Sequence, residues 1–327
     1  MLQLQSKIPP TPSGTDARGK TIIITGANSG LGFEAARQFL LLGASRIILA
    51  CRSLEKGQQA IAALQADPEV KKVKATGLLE TFELDLDDYQ SGLRFAKRVK
   101  AEVQELDILL NNGGIAAMSY QLSKSGHEKL MQVNCYTHIL ICLELFPLLR
   151  STAAIRGSPT RITFVGSATQ IKQESVSKAT IPSSTTTLSY FDDKSTFGLA
   201  RYADSKLFVS AYVRRLGLLA PDEVIVNNLC PGLVQTDLDQ NLPAPLGALM
   251  RLVRRLVART VEEGGRTLIH AAVVASSESN GKFLRNNQIS PAAAFLDTPE
   301  GEAFIDRLWR DTLQDLRAVG AGLEGLP

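Results

Sequence analysis

Tyrosine and lysine occur four positions apart at three places in this chain: Tyr120 with Lys124, Tyr190 with Lys194, and Tyr202 with Lys206. On a helix, positions i and i+4 share a face, so such a pair brings an ammonium group close to a phenol. The ammonium charge favours the phenolate and lowers the phenol pKa from about 10, and a shift of about three units corresponds to about 4 kcal/mol. A tyrosine tuned in this way can act as a general acid or base near neutral pH.

The three pairs differ in the elements predicted around them. Tyr120 follows a predicted strand too closely, and Tyr190 lies in a segment rich in serine and threonine, before a helical pattern begins. Only Tyr202 opens an amphipathic stretch that is long enough for a helix and leads into another strand. The sequence therefore favours Tyr202 and Lys206 as the catalytic pair, with Tyr190 as the next candidate.

A single serine stands at another position where chemistry could occur. Ser167 directly follows the predicted strand 161–166, and ligands in open α/β sheets bind at the carboxyl ends of strands. Its hydroxyl could donate to a substrate oxygen and stabilise developing charge. A turn or an N-cap explains a serine after a strand equally well, so both interpretations stay open from the sequence.

A glycine-rich turn follows the apolar strand 21–25 and reads Thr25-Gly26-Ala27-Asn28-Ser29-Gly30-Leu31-Gly32. An amphipathic helix comes next. Glycines permit unusual dihedral angles and let a pyrophosphate approach the backbone, and the helix N-terminus offers N–H groups and a positive dipole end. This order of strand, turn and helix predicts a dinucleotide site, whose contacts we assign to Gly26, Asn28, Ser29, Gly30, Leu31 and Gly32.

The residue after the second strand indicates which dinucleotide binds. The predicted strand 46–51 completes a β-α-β unit, and Arg52 and Ser53 follow it. At this position an acidic residue binds the ribose 2′-hydroxyl of NAD, whereas an arginine accommodates the 2′-phosphate of NADP. Arginine can hold a phosphate with two parallel hydrogen bonds. We therefore predict NADP(H); the alternative is that Arg52 is a solvated residue at a strand end.

Length and composition set the class of protein. The chain has 327 residues, of which 44% are hydrophobic, and a net charge of +3. This length is sufficient for one large domain, and the small net charge gives no indication of nucleic-acid binding.

The four cysteines and three histidines are scattered, which predicts reduced, structural cysteines and no metal site. The apolar stretch 139–149 is too short for a membrane span, and residues 1–17 are predicted as a flexible lead-in without a signal peptide.

Strand and helix patterns alternate along the chain. Strands are predicted at 21–25, 46–51, 81–85, 107–111, 161–166, 224–228 and 282–284. Amphipathic stretches between most of them predict an α/β fold, a doubly wound parallel sheet of about seven strands with helices on both faces, in a single domain over 18–327. Residues 170–198, which include a Ser/Thr-rich stretch, are predicted as a long loop, either a lid or a disordered excursion.

Taken in order, these motifs resemble the short-chain dehydrogenase/reductase superfamily, and more narrowly its retinol-dehydrogenase-like branch with many fungal members. The resemblance runs from residue 19 to residue 316 and adds further positions to the site: Asp85, Asn111-Asn112-Gly113-Gly114, Val133-Asn134, Pro231-Gly232, Val234 and Thr236. The family motif has an alanine where this chain has Gly113, a difference expected to loosen the turn under the cofactor.

The resemblance implies a Rossmann-type fold and a role for each site residue. Tyr202 would donate the proton, Ser167 would polarise the carbonyl, and Lys206 would bind the nicotinamide ribose and tune Tyr202. Asn134 would support a proton relay through a water, and Asp85 would contact the adenine. The other positions implied to contact the cofactor are Asn112, Gly113, Pro231, Val234 and Thr236.

The region 236–262 is predicted to shape the substrate pocket and serve as its lid. Within it, residues 247–261 have the pattern of an amphipathic helix, with arginines at Arg251, Arg255 and Arg259. We favour a helix that covers the pocket and has a solvated basic face. The alternative is a helix that lies on a membrane surface and delivers a lipophilic substrate.

The predicted function is the NADP(H)-dependent reduction of a carbonyl, or oxidation of a secondary alcohol, in a small lipophilic molecule, as a step in secondary-metabolite biosynthesis. Two alternatives stay open: a cofactor-binding regulator, and an epimerase or dehydratase with no net NADPH consumption. The intact Ser167, Tyr202 and Lys206 argue against a regulator. We expect a cytoplasmic monomer or homodimer with a small-molecule substrate, no transmembrane segment and at most peripheral membrane contact.

Overall fold

The strands form one sheet with the glycine turn near its centre. A computed structural model describes residues 5–73, 77–172, 174–235 and 257–323. The strands are β1 Thr21–Thr25, β2 Arg46–Cys51, β3 Leu78–Glu83, β4 Ile108–Asn111, β5 Thr160–Val165, β6 Val224–Cys230, β7 Lys282–Arg285 and β8 Gln288–Ser290. Their order is β3-β2-β1-β4-β5-β6-β7-β8, and all neighbours are parallel except β7 and β8. The strand order reverses between β1 and β4, which confirms the predicted doubly wound sheet.

Most strand bounds agree with the sequence prediction. The bounds of β1 and β2 match it residue for residue. Strand β3 begins at Leu78 instead of residue 81 and ends at Glu83 instead of residue 85, because these residues pair in register with all of β2. The other predicted strands differ from the structure by one or two residues at their ends.

The edge strand β8 is not predicted by the sequence pattern. Strands β7 and β8 form an antiparallel hairpin around Asn286 and Asn287, whose φ angles are 53° and 62°. Two consecutive residues with positive φ are typical of the type I′ turn that closes tight hairpins, and asparagine tolerates this conformation well. The Asn-Asn pair after the predicted strand 282–284 is therefore the signal that could have revealed the eighth strand.

Helices cover both faces of the sheet. They are α1 Gly30–Leu41, α2 Leu54–Ala66, α3 Pro68–Lys72, α4 Tyr89–Glu102, α5 Lys129–Arg156, α6 Thr187–Asp192, α7 Arg201–Leu216, α8 Val261–Ile269 and α9 Pro299–Ala318. Successive residues of β1 point to opposite faces: Ile23 joins one apolar core with α4, α5, α7 and α9, and Ile22 and Ile24 join another with α1, α2 and α8. The predicted two-layer cover of the sheet is confirmed.

Helix α5 is a core helix that begins earlier than the apolar stretch noted in the sequence. By length and composition it could cross a membrane, with 28 residues and a mean hydropathy of 1.5, but 67% of its apolar window is buried inside the domain. A core helix passes the same test, so this is weak support for a membrane span. The helix includes a π turn, Gln132–Tyr136, near its start.

Residues 5–17, predicted as a flexible lead-in, pack along the domain. Ile8 and Ala17 are buried. Gln5 Nε2 donates to the carbonyls of Leu233 (2.9 Å) and Val257 (3.1 Å), and Gln5 Oε1 accepts from the N–H of Leu233 (2.8 Å). One glutamine thus ties the segment after β6 to the last part of the predicted pocket region.

The structure around Arg259 differs from the predicted basic helix. Residues 247–256, with Arg251 and Arg255, lie outside the described residues. Residues 258–260 are not helical, and Arg259 is only 5% exposed. Its guanidinium donates to three oxygens, the carbonyls of Pro231 and Ser6 and the side chain of Asn286. The prediction of a solvated face is therefore wrong at Arg259, because neighbouring loops provide buried acceptors for its N–H groups.

The long segment after β5 contains structure that the sequence analysis assigns to a loop. Residues 187–192 form α6, which Thr186 caps through the N–H of Ser189. The segment packs into the core through Val176, Leu188 and Phe191. Arg307 of α9 donates to three carbonyls of this segment, those of Ile181, Pro182 and Thr185. These contacts fasten the segment to α9.

His127 connects three parts of the chain just before α5. Its Nδ1 lies 2.7 Å from Asp192 Oδ2 in α6, and its Nε2 lies 3.2 Å from Asp315 Oδ2 in α9. Burial lowers the pKa of His127, but the hydrogen bonds to the two carboxylates outweigh it and raise the pKa from 6.5 to about 9. The imidazole is therefore charged at neutral pH and bridges two carboxylates.

We expect His127→Gln to remove a pH-dependent part of the stability. Because the folded pKa is raised, the contribution is complete below about pH 6.5 and is lost as the pH rises through about 9. The pKa difference corresponds to about 3 kcal/mol. Urea unfolding should show the free-energy difference between wild type and variant shrinking by this amount over that range.

His270→Gln is the matched control for this experiment. Burial lowers the pKa of His270, so protonation of His270 opposes folding, and the wild type gains stability relative to this variant as the pH rises through about 6.5. The two variants should therefore change with pH in opposite directions. If the difference in the free energy of unfolding between wild type and His127→Gln does not vary with pH, that result would contradict the charged bridge.

Candidate active site

The glycine turn has a shape that suits a phosphate-bearing cofactor. Gly26 and Gly30 have φ angles of 65° and 54°, a region that favours glycine. A Cβ atom at Gly32 would lie 2.6 Å from the carbonyl oxygen of Gly26, so only glycine leaves the turn this tight. Helix α1 begins at Gly30, and the side chain of its N-cap Ser29 makes no capping hydrogen bond. The amide end of α1 therefore faces this turn without a side-chain cap, as a dinucleotide site requires.

Asn112 holds the glycine turn from the neighbouring strand. Its Nδ2 donates to the carbonyls of Thr25 (2.9 Å) and Gly26 (3.3 Å). In return, Thr25 Oγ1 accepts from the N–H groups of Asn112 (3.0 Å) and Gly113 (2.9 Å). The side chain of Asn112, predicted to contact the cofactor, is thus engaged in shaping the turn that would contact it.

Gly113 occupies the position where the family motif has alanine. The packing around it gives a steric reason for the glycine. A Cβ atom there would lie 2.5 Å from Leu86 Cδ1 and 3.3 Å from Thr25 Oγ1. Leu86 therefore occupies the space that an alanine methyl would need. The turn is packed from the side by leucine, and Gly113→Ala would require Leu86 to move.

Asp85 and Arg52 lie at the carboxyl ends of β3 and β2, together with Lys124. Asp85 Oδ2 is 2.7 Å from Lys124 Nζ. Burial raises the pKa of Asp85, but the hydrogen bonds from Lys124 and a backbone N–H, with the charges of Lys124 and Arg52, hold it below its usual value. Two cations thus act on the Asp85 carboxylate at this end of the site. Ser53 caps α2 by accepting from the N–H of Lys56 (3.2 Å).

Tyr202 and Lys206 come together on the first turns of α7. Lys206 Nζ lies 5.7 Å from the centroid of the Tyr202 ring and donates to the carbonyl of Val165 (2.9 Å) at the end of β5. Lys206 is 5% exposed, whereas Tyr202 is half-buried. Burial lowers the pKa of Lys206 from 10.5 to about 8. A buried cation therefore lies beside a half-buried phenol.

Ser167 follows β5, and Asn134 lies in the π turn of α5. Ser167 Oγ accepts from the N–H (3.3 Å) and the hydroxyl (3.0 Å) of Thr169, so it does begin a turn, and its own hydroxyl proton is left to donate. Asn134 Oδ1 accepts from the N–H of Ile115 (2.9 Å), while its Nδ2 donates to the Ile115 carbonyl (3.1 Å) and to Ser205 Oγ (3.0 Å). Asn134 is thus fixed between the segment after β4 and α7.

Gly114 shows how closely these groups converge. A Cβ atom at Gly114 would lie 3.0 Å from Asn134 Oδ1 and 3.7 Å from Lys206 Nζ. The backbone after β4, the π turn of α5 and the start of α7 therefore meet at one place. This is the carboxyl edge of the sheet, where the strand order reverses and open α/β sheets bind their ligands.

In the other two Tyr-x-x-x-Lys pairs, the tyrosine and the lysine do not lie on one regular helix. Tyr120 donates to the carbonyl of Asp192 (2.8 Å), while Lys124 pairs with the carboxylate at the end of β3. Tyr190 lies in α6, and Lys194 lies in a separate 3-10 turn. Only the Tyr202 pair shares one regular helix, as the sequence analysis favours.

Arg201 is a residue of this region that the sequence analysis misses. It is 1% exposed and directly precedes Tyr202. Its guanidinium donates to the carbonyls of Phe191 and Thr196 and lies 4.9 Å from the Phe191 ring centroid. Arg201 therefore anchors the preceding segment to the start of α7. A lone arginine gives no sequence signal, since its aromatic and carbonyl partners assemble only in the fold.

The remaining predicted site residues lie after the end of β6 or outside the residues that the structure describes. Pro231 and Val234 are buried after β6, and Thr236 lies outside the described residues. All four cysteines are free and buried. Within the part of the chain that the structure describes, no group of three or more His, Cys, Asp or Glu side chains could hold a metal ion.

Comparison with known proteins identifies the family. Residues 20–180 match the family model for short chain dehydrogenase. The chain is 64% identical over 291 residues to the short chain dehydrogenase sor7 of Hypocrea jecorina, covering 89% of this chain and 81% of that protein. It is 39% identical over 314 residues to the short chain dehydrogenase AOL_s00215g274 of Arthrobotrys oligospora, covering 96% and 97% of the two chains.

A solved structure shows the same fold. The Pseudomonas aeruginosa RhlG/NADP active-site complex superposes with a TM-score of 0.62 at 22% identity, over 83% of this chain and 95% of that one. The fold and site thus define a nicotinamide-dependent oxidoreductase class, as the sequence resemblance predicts. The chain belongs to the short-chain dehydrogenase family, with fungal proteins among its similar relatives.

Proposed function

We propose that this protein is an NADP(H)-dependent oxidoreductase that reduces a carbonyl, or oxidises a secondary alcohol, of a small lipophilic molecule. One observation carries the proposal: the buried Lys206 ammonium lies beside the half-buried Tyr202 phenol, 5.7 Å from its ring centroid. This arrangement stabilises a phenolate and so lowers the cost of moving a proton to or from a substrate oxygen.

Each of the site residues has a task in this proposal. Tyr202 gives a proton to the substrate oxygen in reduction and takes it back in oxidation. The Ser167 hydroxyl donates to the same oxygen and stabilises its developing charge. Lys206 holds its charge next to Tyr202 while bonded to Val165, and Asn134 keeps the segment after β4 in contact with α7.

The glycine turn and the end of β2 would hold the cofactor. The backbone of Gly26, Gly30 and Gly32 leaves room for the pyrophosphate, and Arg52 would bind the 2′-phosphate. When bound, the nicotinamide would exchange hydride with the substrate carbon. Asn112 and Gly113 support this site by holding the turn through Thr25.

The nature of the substrate and its place in metabolism extend this proposal. We infer a lipophilic ketone or aldehyde, in line with the resemblance of the chain to the retinol-dehydrogenase-like branch. We place the reaction in the secondary metabolism of a fungus, in line with the fungal origin of similar relatives. We propose a cytoplasmic protein that acts as a monomer or homodimer.

NADPH consumption, followed at 340 nm against a panel of ketones, aldehydes and quinones, tests the proposed reaction. We expect turnover with at least one lipophilic carbonyl and none in the absence of substrate. Conversion of a substrate with no net NADPH loss would instead support an epimerase or dehydratase. NADPH binding without conversion of any compound in the panel would contradict the proposed reductase activity.

Arg52→Ala tests the choice of cofactor. Arg52 is exposed at the end of β2, and a hydrogen bond to a charged group contributes about 1.5–3 kcal/mol, or about 10- to 100-fold in affinity. We expect the Kd for NADPH, measured by calorimetry, to rise by this factor while the Kd for NADH stays within about threefold. Arg94→Ala, on the exposed side of α4, is the matched control. Equal Kd values for NADPH and NADH in the wild type would contradict the assignment.

A further inference from the structure

His138 is a buried imidazole that the proposed chemistry does not use. It lies in the α-helical part of α5, directly after the π turn, and is 1% exposed. Its Nε2 is 3.1 Å from Thr25 Oγ1, and its Nδ1 is 3.5 Å from the carbonyl oxygen of Asn134. The Phe164 ring of β5 meets it edge-on, with the centroids 6.4 Å apart. Both ring nitrogens thus face oxygens of residues at the candidate site.

Counting hydrogens fixes the direction of these bonds. Thr25 Oγ1 already accepts from the N–H groups of Asn112 and Gly113, and a hydroxyl has two acceptor positions and one proton. That proton therefore points to His138 Nε2, which must be the unprotonated nitrogen. The remaining ring proton is on Nδ1 and points to the Asn134 carbonyl.

The ring is neutral in this arrangement. Burial lowers the pKa of His138 to about 3, and the nearby Lys206 charge acts in the same direction. A neutral imidazole with one donor and one acceptor matches the two partners found here. His138 therefore serves as a fixed hydrogen-bonding link and does not need to exchange protons.

The two partners of His138 hold the two ends of one short segment. Residues 112 and 113 are bonded to Thr25 Oγ1, and residue 115 is bonded to the side chain of Asn134. Gly113, at one of these ends, and Gly114, between them, are glycines, which have the greatest backbone freedom. Gly114 also lies against Lys206, since a Cβ there would be 3.7 Å from its Nζ.

We propose that His138 is a positioning residue that fixes both ends of the 112–115 segment, through Thr25 and Asn134, beside the catalytic Lys206. The link is needed because two glycines leave the segment free to move, while the site requires the glycine turn, Asn134 and α7 to stay in contact. The inference concerns the protein without cofactor, so it can fail independently of the proposed reaction.

Hydrogen–deuterium exchange of the cofactor-free protein at residue resolution tests this proposal. The amides of Asn112, Gly113 and Ile115 are the donors in the bonds described, so their exchange reports on them directly. We expect His138→Phe, which keeps a ring but removes both bonds, to speed their exchange at least tenfold. The amides of β2, paired on both sides, should change by less than threefold.

His138→Gln separates positioning from other roles. An amide side chain offers one acceptor and a donor N–H, so exchange at residues 112–115 should return to within about threefold of the wild-type rates. We also expect His138→Phe to lower kcat and His138→Gln to restore it, which a role of His138 as an acid or base would not allow. Failure of His138→Gln to restore either quantity would overturn the proposal.

A second pair of variants covers the case in which His138→Phe does not fold. Thr25→Val removes the hydroxyl that connects the ring to the two amides, and Thr25→Ser keeps it. We expect faster exchange at residues 112 and 113 in the valine variant and near wild-type exchange in the serine variant. Unchanged exchange in Thr25→Val, or a uniform increase across the sheet in either disruptive variant, would overturn the proposal.

Discussion

Tyr202→Phe is expected to lower kcat by about a thousandfold, within the range that general acid–base catalysis contributes. The substitution removes one hydroxyl and keeps a ring of the same shape in a half-buried position. Lys206 keeps its bond to the Val165 carbonyl, so the buried ammonium is still satisfied in the variant. The expected loss is therefore one of chemistry, with the fold and the cofactor site unchanged.

The measurement is the steady-state rate with the best substrate from the carbonyl panel, together with the cofactor Kd from calorimetry. The Kd should stay within about threefold of the wild-type value, since the glycine turn and the end of β2 are not altered. Tyr190→Phe is the matched control, because Tyr190 belongs to one of the other Tyr-x-x-x-Lys pairs and lies in α6. A Tyr202→Phe enzyme with near wild-type kcat would disprove the assigned proton donor.

Lys206→Met is expected to lower kcat by about a hundredfold or more and, at the same time, to stabilise the cofactor-free protein. Activity falls because Tyr202 loses the adjacent positive charge that favours its phenolate. Stability rises because the folded chain keeps Lys206 buried at 5% exposure, where its charge is poorly solvated. The two effects follow from the same burial and have opposite signs, as functional sites often show.

The sign and size of the stability effect follow from the pKa of Lys206. Its folded value of about 8 lies below the unfolded value of 10.5, so unfolding at neutral pH relieves a penalty of about 3 kcal/mol. Removing the bond to Val165 costs about 1 kcal/mol, which leaves a net gain of about 2 kcal/mol for Lys206→Met. As the pH rises from about 8 to about 10.5, the wild type loses this penalty and the gain disappears.

Chemical unfolding of wild type and Lys206→Met at neutral pH and near pH 10 measures this effect. The exposed Lys194→Met is the matched control and should change stability by less than about 0.5 kcal/mol at either pH. A Lys206→Met protein that is less stable than the wild type at neutral pH would show that the buried charge is better solvated than its surroundings indicate.

The class of fold and the local motifs of the site follow from the amino-acid sequence alone. Apolar runs and amphipathic spacing predicted seven of the eight strands that the described residues form, because buried parallel strands and their covering helices leave strong periodic patterns. The glycine turn and the Tyr202–Lys206 pair were also predictable, since their spacing is set by the geometry of a single turn or helix. The edge strand β8 has only three residues, too few for any period to show.

The side chains that support the site come together only when the chain is folded. His138 meets Thr25, Arg201 meets Phe191, and Gln5 meets Leu233 across separations that no local pattern records. Arg259 illustrates the same limit: within its own segment it resembles a residue on a solvated helix face, but three oxygens from distant loops bury it. Periodicity encodes contacts within one element, whereas hydrogen bonds between elements depend on how the whole chain packs.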